Sequence, residues 1–380
     1  MDERKSKIIS FYLRNEYITQ LLLFILLICN KTIKRLCSCF TEEVKMNKYK
    51  LPSDKEYVLL EKAHDITNPE YGKPPEKRSV DELIRFGIIN LDKPAGPTSH
   101  EVVAWVKRIL HINKAGHSGT LDPGVTGVLP IALEDATKVL QALLITGKEY
   151  VAILHLHKEV PEDKIREVFN LFVGPIYQRP PIRSSVKRRL RIRQIYYIDI
   201  LEIDGRDVLF KVGCQAGTYI RKLCYDIGLI LGVGAHMKEL RRTRTGPFKE
   251  DETLVTLHDV ADAYTLWKEE GNEALIRKVV LPVEKAVEHL PKIIIRDSAV
   301  DAICHGANLA APGVLKVSTG ISPDTLVAIF TLKGELVALA KAKMSTTEIL
   351  KANHGIVADT ERVIMLPGTY PPWYEFKKAK

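Results

Sequence analysis

The chain has 380 residues, of which 46% are hydrophobic and 27% are charged. This composition excludes a disordered or fibrous protein, and the length predicts two domains. The formal net charge of +9 favours a nucleic-acid partner, because Lys and Arg bind phosphates, although a generic basic protein has the same balance. The six cysteines follow neither a zinc spacing nor a disulfide framework, which predicts reduced thiols in a cytoplasmic protein and no metal site.

The first 85 residues are expected to contain little regular structure. Leu21–Cys29 is an apolar run of nine residues, whereas a bilayer span needs about 20, and no small-residue cleavage site follows the run. We therefore expect no membrane association and interpret residues 1–45 as a doubtful N-terminal segment: either translation starts at Met46, or the segment is a poorly ordered extension. N-terminal mass spectrometry tests this, and a peptide from residues 1–45 would contradict the start at Met46. Residues 46–85 are polar and contain prolines, which predicts an extended lead-in.

A strand, a turn and a helix are predicted next. Phe86–Leu91 is a short apolar strand candidate, and the KPAGP segment that follows predicts a turn. Thr98 and Glu101 have the spacing of a capping box, so a helix should begin at Thr98. The apolar residues that follow the box have helical spacing: Val102, Val106, Ile109 and Leu110.

Residues 115–130 contain four Gly and two Pro, which predicts a loop of unusual backbone geometry rather than a helix. Within it, Asp122 stands between Leu121 and Pro123. The proline biases Asp122 towards an extended conformation, and a carboxylate held in a tight loop can be aimed at a substrate. On local spacing alone, an Asx-turn residue that only stabilises the loop remains the alternative.

From residue 136 to about residue 290 the predicted elements are helices and strands, and after that they are short strands alone. The predicted elements are a helix at Ala136–Leu144, a strand at Glu149–His157, an amphipathic helix at Pro161–Phe172, an exposed loop over 174–189, a hairpin of Gln194–Ile203 and Asp207–Val212, and a helix at Tyr219–Leu231. After about residue 290, short strands alternate with Gly-containing turns, which is typical of a small β-barrel-like domain. We place the boundary near Leu290.

Four motifs in order resemble those of the TruB-type pseudouridine synthases. They are GIINLDKPAGPTSHEVV, GHSGTLDPGVTGVLP, GTYIRKL and ELRRTRTGPF, and the resemblance covers about residues 80–370. The segment KEYVAILHLHKEV, followed by a helix and GPIYQRPPIRSSVKRRLRIRQIYY, is similar to the dyskerin branch, the catalytic subunit of box H/ACA ribonucleoproteins. The chain has no Lys-rich tail and so resembles the compact archaeal form. After residue 290 it resembles a PUA domain.

The resemblance implies an α+β fold with a mixed, mainly antiparallel sheet in the catalytic domain, over 86–289. The PUA domain would be a small β-barrel-like unit over 290–370, followed by a tail over 371–380. Asp122 would be the nucleophile that attacks a flipped-out uridine, either at the ring or at the ribose anomeric carbon. A bidentate Arg221 would hold this carboxylate, and Tyr150 would stack on the base or touch its sugar.

Further residues are assigned by the same resemblance, each with an alternative. His117 would contact RNA or help to flip the base, or would only bond to its own loop. Leu223 would form a pocket wall, a role that hardly differs from that of a core leucine. The basic segment 183–193 would be a thumb over the substrate, or only a solvated charged hairpin; its cations include Arg183, Lys187, Arg188 and Arg189.

Residues from two other motifs would also bind RNA. Arg241, Arg242 and Arg244 would contact phosphates, although Arg241 could instead be a structural ion-pair member. His305 and Gly306 would lie in the RNA-facing turn of the PUA domain. Lys93 is expected to be part of the scaffold under the active loop rather than catalytic.

The resemblance thus implies an enzyme that isomerises specific uridines to pseudouridine, with neither a metal nor an organic cofactor. Its RNA would be rRNA selected by an H/ACA guide RNA, the T-loop uridine of tRNA, or both. Small accessory proteins of the H/ACA particle would be partners. The alternative is a non-catalytic RNA-binding scaffold of a ribonucleoprotein, against which Asp122, Arg221 and Tyr150 argue together.

Overall fold

The computed structural model describes residues 50–180 and 189–378. The predictions for residues 1–45 and for Arg183, Lys187 and Arg188 therefore lie outside the described residues. Within the described part, no helix has both the length and the apolar character that a membrane span requires.

Eighteen strands and ten α-helices are found in the described ranges. The strands are β1 (Leu59–Glu61), β2 (Gly87–Lys93), β3 (Ala115–His117), β4 (Thr126–Leu133), β5 (Lys148–Leu156), β6 (Gly174–Gln178), β7 (Arg191–Asp204), β8 (Asp207–Cys214), β9 (Ala235–Thr245), β10 (Phe248–Lys249), β11 (Leu254–Val255), β12 (Leu281–Pro282), β13 (Lys292–Ile295), β14 (Leu309–Ala310), β15 (Val314–Ser318), β16 (Leu326–Phe330), β17 (Leu336–Ala342) and β18 (Ile356–Val363). The helices are α1 (Val80–Arg85), α2 (Ser99–Ile109), α3 (Leu140–Leu144), α4 (Glu162–Leu171), α5 (Ile220–Ile230), α6 (Leu257–Glu270), α7 (Ile276–Val279), α8 (Asp297–Cys304), α9 (Thr346–Lys351) and α10 (Glu375–Lys378). Short 3-10 helices lie at Pro52–Asp54, Pro75–Lys77, Glu134–Val139, Val283–Val287 and Ala311–Gly313.

The first sheet has eleven strands, and its main path runs β11-β2-β4-β9-β5-β8-β7-β6. Two of its pairings, β11 with β2 and β4 with β9, are parallel, and the other pairings are antiparallel. The predicted α+β class with a mixed, mainly antiparallel sheet is therefore confirmed.

Amphipathic helices cover this sheet in two groups. Helices α4 and α5 bury their apolar faces against β5, β7 and β8 in one cluster. Helices α1, α2, α6 and α7 pack against β2 and β4 in another. In α5 the buried residues recur at intervals of three and one, which matches one face of a helix. The predicted Thr98–Glu101 capping box is present and starts α2 at Ser99.

The second sheet has seven strands in the order β1-β15-β13-β16-β17-β18-β14. All of them except β1 follow residue 290, in agreement with the predicted change of character. Strand β1 pairs with β15, about 250 residues later in the chain. A shared cluster that includes Ile88 and Val128 from the first sheet and Phe330 and Leu339 from the second joins the two sheets.

Three segments differ from the prediction. Residues 46–85 contain β1 and α1, and α1 begins with a Ser79–Glu82 capping box that was overlooked. Residues 174–178, expected in a loop, form the edge strand β6, where Pro175 is tolerated. The second half of 115–130 belongs to β4, so the irregular loop is confined to 118–125. Pairing with distant strands decided these segments, and local composition does not reveal such pairing.

Candidate active site

Residues 118–125, here called the active-site loop, connect β3 to β4, which pair as antiparallel neighbours. The loop closes on itself, since the Val125 amide donates to the Asp122 carbonyl at 3.0 Å. It is also tied to the turn after β2, because the Gly96 amide donates to the Pro123 carbonyl at 2.9 Å. This backbone arrangement leaves the Asp122 side chain about half exposed, at 55%.

Two buried side chains hold the active-site loop from the side of β2 and α2. The Ser99 hydroxyl accepts from the Leu121 amide at 2.9 Å and donates to the Leu121 carbonyl at 3.2 Å. The Lys93 ammonium donates to the carbonyls of Pro94, Pro123 and Val125 at 2.8, 3.0 and 2.9 Å. The residues on both sides of Asp122 are therefore fixed, and the expectation that Lys93 is part of the scaffold is confirmed.

Asp122 and Arg221 form an ion pair. Arg221 lies in the first turn of α5, and its Nη2 donates to Asp122 Oδ2. The structure shows this single contact rather than the expected bidentate pair. The two residues are 99 positions apart in the chain, and the side chain of Arg221 is 59% exposed. The pair therefore stands at the surface, within reach of a ligand.

The other side of the active-site loop rests on β5 and β9. The Arg242 guanidinium donates to the carbonyls of Val128 and Gly119 at 2.7 and 3.2 Å and lies beside the Tyr150 hydroxyl. Burial raises the pKa of Tyr150, so this hydroxyl stays neutral. Tyr150 is 8% exposed and packs in the same cluster as Leu121. The strand-core alternative therefore describes Tyr150 in this structure, directly below the loop.

The expectation that Arg242 contacts RNA phosphates is wrong. Its side chain is wholly buried, and its guanidinium donates to two backbone carbonyls. Burial lowers its pKa, yet a guanidinium stays charged in proteins. Arg242 is thus an internal cation beneath the active-site loop.

The neighbouring arginines are also engaged. Arg241 forms a two-bond contact with Asp92 at 3.0 and 2.9 Å and a further bond to Glu250, so the ion-pair alternative holds for this residue. Arg244 bonds to Asp54 and to the Gly246 carbonyl. Carboxylates of the same chain bind both guanidiniums in this structure, and their contacts with phosphates stay predictions.

His117 ends β3 and has its ring beside the active-site loop. The Gly119 amide donates to His117 Nδ1 at 3.2 Å, as in the alternative that the histidine only bonds to its own loop. The His100 ring packs edge-on against it at 5.1 Å between centroids. Burial, together with the charges of His100 and Arg242, lowers the pKa of His117 to about 4. The ring is therefore neutral at neutral pH.

Leu223 is fully buried among the core residues of α5, as the core-leucine alternative expects, and its role as a pocket wall stays a prediction. Leu240 on β9 was not among the predicted site residues. It is half-buried and packs against the cluster that contains Leu121 and Tyr150. Leu240 precedes Arg242 by two and therefore lies on the same face of the strand.

Three predicted RNA-binding residues lie elsewhere in the described chain. Arg189 is exposed in the segment just before β7. His305 caps the end of α8, where its Nδ1 lies 2.8 Å from the Asp301 carbonyl, and its side chain is 62% exposed. Gly306 follows with φ of +87°, a conformation that favours glycine. All three residues are distant from the active-site loop in the sequence, and their contacts with RNA remain predictions. In the described ranges, no group of three or more His, Cys, Asp or Glu side chains is arranged for a metal ion.

Four family profiles match the chain. The TruB family pseudouridylate synthase (N terminal domain) profile matches residues 107–220, and the tRNA pseudouridylate synthase B C-terminal domain profile matches 221–288. The PUA domain profile matches 291–364, and the DKCLD (NUC011) domain profile matches 48–103. A protein of Methanopyrus kandleri described as a probable tRNA pseudouridine synthase B is 66% identical over 86% of this chain and 97% of its own length. A protein of Pyrococcus abyssi with the same description is 65% identical over 84% of this chain and 96% of its own length.

The chain belongs to the TruB family of pseudouridine synthases. It is an enzyme of that family with a C-terminal PUA domain, and the DKCLD match confirms the resemblance to the dyskerin branch.

Two solved structures are similar to this TruB-family chain over most of its length. One is a Cbf5-Nop10-Gar1 complex, with a TM-score of 0.82 and 62% identity over 85% of this chain and 98% of that one. The other is an H/ACA ribonucleoprotein bound to a substrate RNA containing 2′-deoxyuridine, with a TM-score of 0.81 and 60% identity over 86% of this chain and 100% of that one.

Proposed function

We propose that this chain isomerises specific uridines to pseudouridine in structured RNA, with Asp122 as the nucleophile. The observation that carries the proposal is the exposed ion pair of Asp122 with Arg221. The residues on both sides of Asp122 in the loop, Leu121 and Pro123, are held by hydrogen bonds to Ser99 and Lys93. A carboxylate aimed outwards by a rigid loop and oriented by a guanidinium suits attack on a substrate.

The reaction requires one bond to break and another to form. The uracil N1–C1′ bond breaks, the ring turns, and C5 joins C1′ while C5 gives up its proton and N1 gains one. Asp122 would attack either C1′ or the ring, and Arg221 would keep the carboxylate in direction. Tyr150 would stack on the flipped-out base or touch its sugar. No metal and no organic cofactor enters this scheme.

We propose RNA partners of two kinds, in keeping with the relatives. The substrate would be rRNA paired with an H/ACA guide RNA, the T-loop uridine of tRNA, or both. The first is supported by the similarity to an H/ACA ribonucleoprotein with substrate RNA, and the second by relatives described as tRNA pseudouridine synthases. Small accessory proteins would bind as in the Cbf5-Nop10-Gar1 complex.

We retain three contacts as proposals for RNA binding. Arg189, with the basic segment 183–193, would reach over the substrate as a thumb. His305 and Gly306 would contact guide RNA from the PUA domain. We propose 86–289 and 290–370 as the catalytic and PUA domains, although β1 contributes an outer strand to the second sheet.

A cytoplasmic location is also proposed. It is supported by Cys214, Cys224 and Cys304, which are buried and form no disulfide. Fractionation of cells with an antibody to the native protein tests it, and recovery in the membrane or secreted fraction would reject it.

The function is tested by measuring pseudouridine in radiolabelled RNA, with and without a matched H/ACA guide RNA and accessory proteins. The wild type is compared with Asp122→Asn, a variant of nearly the same size. We expect activity in at least one RNA setting and its loss, by about 1000-fold or more, in Asp122→Asn. Full activity in Asp122→Asn would reject the mechanism. A wild type that binds RNA but is inactive throughout would favour the non-catalytic scaffold.

A further inference from the structure

Lys148, the first residue of β5, is a buried cation without a partner. The residue is 5% exposed, and its ammonium has no hydrogen bond or ion pair with any of the residues 50–180 and 189–378. Its Nζ is not one of the fully enclosed atoms that lack a partner, so it keeps a small contact with solvent. A buried ammonium normally has carbonyl or carboxylate partners, because burial without them costs several kcal/mol. Lys93, which donates to three carbonyls, shows the usual arrangement in the same protein.

The groups around Lys148 do not neutralise it. Arg242 on β9 is a second cation. Cys214 on β8 is the adjacent acid, but burial raises the pKa of its thiol to about 12, so the thiol is not an anion. Burial and the charge of Arg242 lower the pKa of Lys148 to about 8, which still leaves most of the ammonium protonated at neutral pH.

Lys148 lies under the active-site loop. It shares the buried face of β5 with Tyr150, two residues further along the strand. Above it is Gly119, whose φ of +117° favours glycine and where a Cβ atom would stand 3.4 Å from Lys148 Cε. The ammonium therefore lies next to Gly119, which precedes Asp122 by three residues in the loop. It is also on the same face of β5 as Tyr150, the residue proposed to contact the base.

We propose that Lys148 is a catalytic residue whose ammonium donates a hydrogen bond to a uracil oxygen, O2 or O4, of the flipped-out uridine. This inference rests on the proposed function. When the N1–C1′ bond breaks, its electron pair goes to the uracil ring, and O2 and O4 carry much of the negative charge. If Asp122 attacks the ring instead, the displaced pair also moves towards O4. A fixed cation beside these oxygens stabilises either state.

The proposal explains why the cation is left without a partner. A group that already bonds to the protein has little left for the substrate, whereas an unpartnered ammonium gains its first acceptor when the base enters. Removing it should therefore reduce the rate without reducing stability. A merely structural lysine would behave in the opposite way, since its loss would weaken the fold.

The decisive experiment measures both properties in Lys148→Met. The exposed lysine after the same strand provides the control, Lys158→Met. Single-turnover pseudouridine formation is followed by release of tritium from C5 of the target uridine, in the RNA setting that supports the wild type. We expect Lys148→Met to be about 100-fold slower or worse, with unchanged RNA affinity and an unchanged or raised Tm. Lys158→Met should match the wild type.

The contact itself is tested with substrates in which sulfur replaces O2 or O4 of the target uridine, because sulfur accepts hydrogen bonds weakly. The rate loss from Lys148→Met should shrink on one of the two thio substrates. An equal loss on all substrates would overturn the contact, and a clearly lowered Tm or a wild-type rate would overturn the role. Asp122→Asn is assayed in parallel. If that variant is active, the proposed function fails, whereas if it is inactive while Lys148→Met is fully active, only the present inference fails.

Discussion

The active-site loop has two buried supports that differ in how their polar groups are satisfied. On the side of β2 and α2, Lys93 and Ser99 make five hydrogen bonds to the backbone of the loop and the neighbouring turn. On the side of β5, Lys148 makes none within the described residues. The first side fixes the shape of the loop. The second side contains the Lys148 ammonium, which has no protein partner there and is available to a substrate. Functional sites commonly keep such an arrangement at some cost in stability.

Replacement of Lys93 should have the largest effect, because it separates the two sides most sharply. Lys93→Met leaves three carbonyls without their donor in a buried place. Each unsatisfied buried group costs about 1–3 kcal/mol, so we expect a loss of about 3 kcal/mol or more in urea unfolding. The same substitution at Lys148 is the matched control and should cost nothing. Equal losses in the two variants would remove the distinction between the two supports.

Ser99→Ala should have the next largest effect. Leu121 loses the partner of its buried amide and a donor to its carbonyl, which predicts a cost of about 2 kcal/mol and a slower reaction, since Asp122 is the next residue. Thr98→Ala is the control at the start of the same helix. It removes the helix cap, at about 1 kcal/mol, without touching the loop. Unfolding curves and single-turnover rates distinguish the two, and equal rates in both variants would show that Ser99 does not position Asp122.

Acid should weaken the fold through two partly buried histidines, His117 and His289. Burial lowers the pKa of both His117 and His289 to about 4, so each ring stays neutral in the fold while the unfolded chain takes up a proton below about pH 6.5. The stability that these rings contribute is therefore present above pH 6.5 and is lost as the pH falls from 6.5 towards 4. His117→Gln and His289→Gln should each flatten the decline in Tm over this window. A decline as steep as that of the wild type in both variants would contradict the assignment.

Features that depend on neighbouring residues or on a family motif could be predicted from the sequence. Features that depend on how distant segments pack together could not. The Thr98–Glu101 box fixed the start of α2, and the family motif identified Asp122 and Arg221 as partners across 99 residues. Spacing alone left Asp122 as a turn residue. The burial of Arg242 was missed because ELRRTR looks like a basic surface strand, whereas alternation along β9 sends Arg241 outwards and Arg242 into the core.

The roles of Leu223, Leu240 and Lys148 were harder to assign, because their surroundings are set by the tertiary fold. Leu223 and Leu240 both lie in motifs that resemble those of the family, and only the fold shows that Leu223 is enclosed by α5 and its neighbours. No motif in the sequence indicates a chemical role for Lys148. Its interest comes from the missing partner, which cannot be read from residue order.

The smallest effect is expected at Arg241, which extends the comparison to a cation with carboxylate partners. Asp92 and Glu250 already bind its guanidinium at a partly exposed position, so Arg241→Gln should cost about 1 kcal/mol or less. RNA binding is the sharper readout. Each lost phosphate contact lowers the slope of log affinity against log salt by about 0.7–0.9, and we expect no such change here because Arg241 does not serve a phosphate. Arg189→Gln, at an exposed position in the proposed thumb, is the matched comparison and should lower the slope. A lowered slope in Arg241→Gln would mean that RNA displaces Asp92 or Glu250, and β9 would then belong to the RNA surface after all.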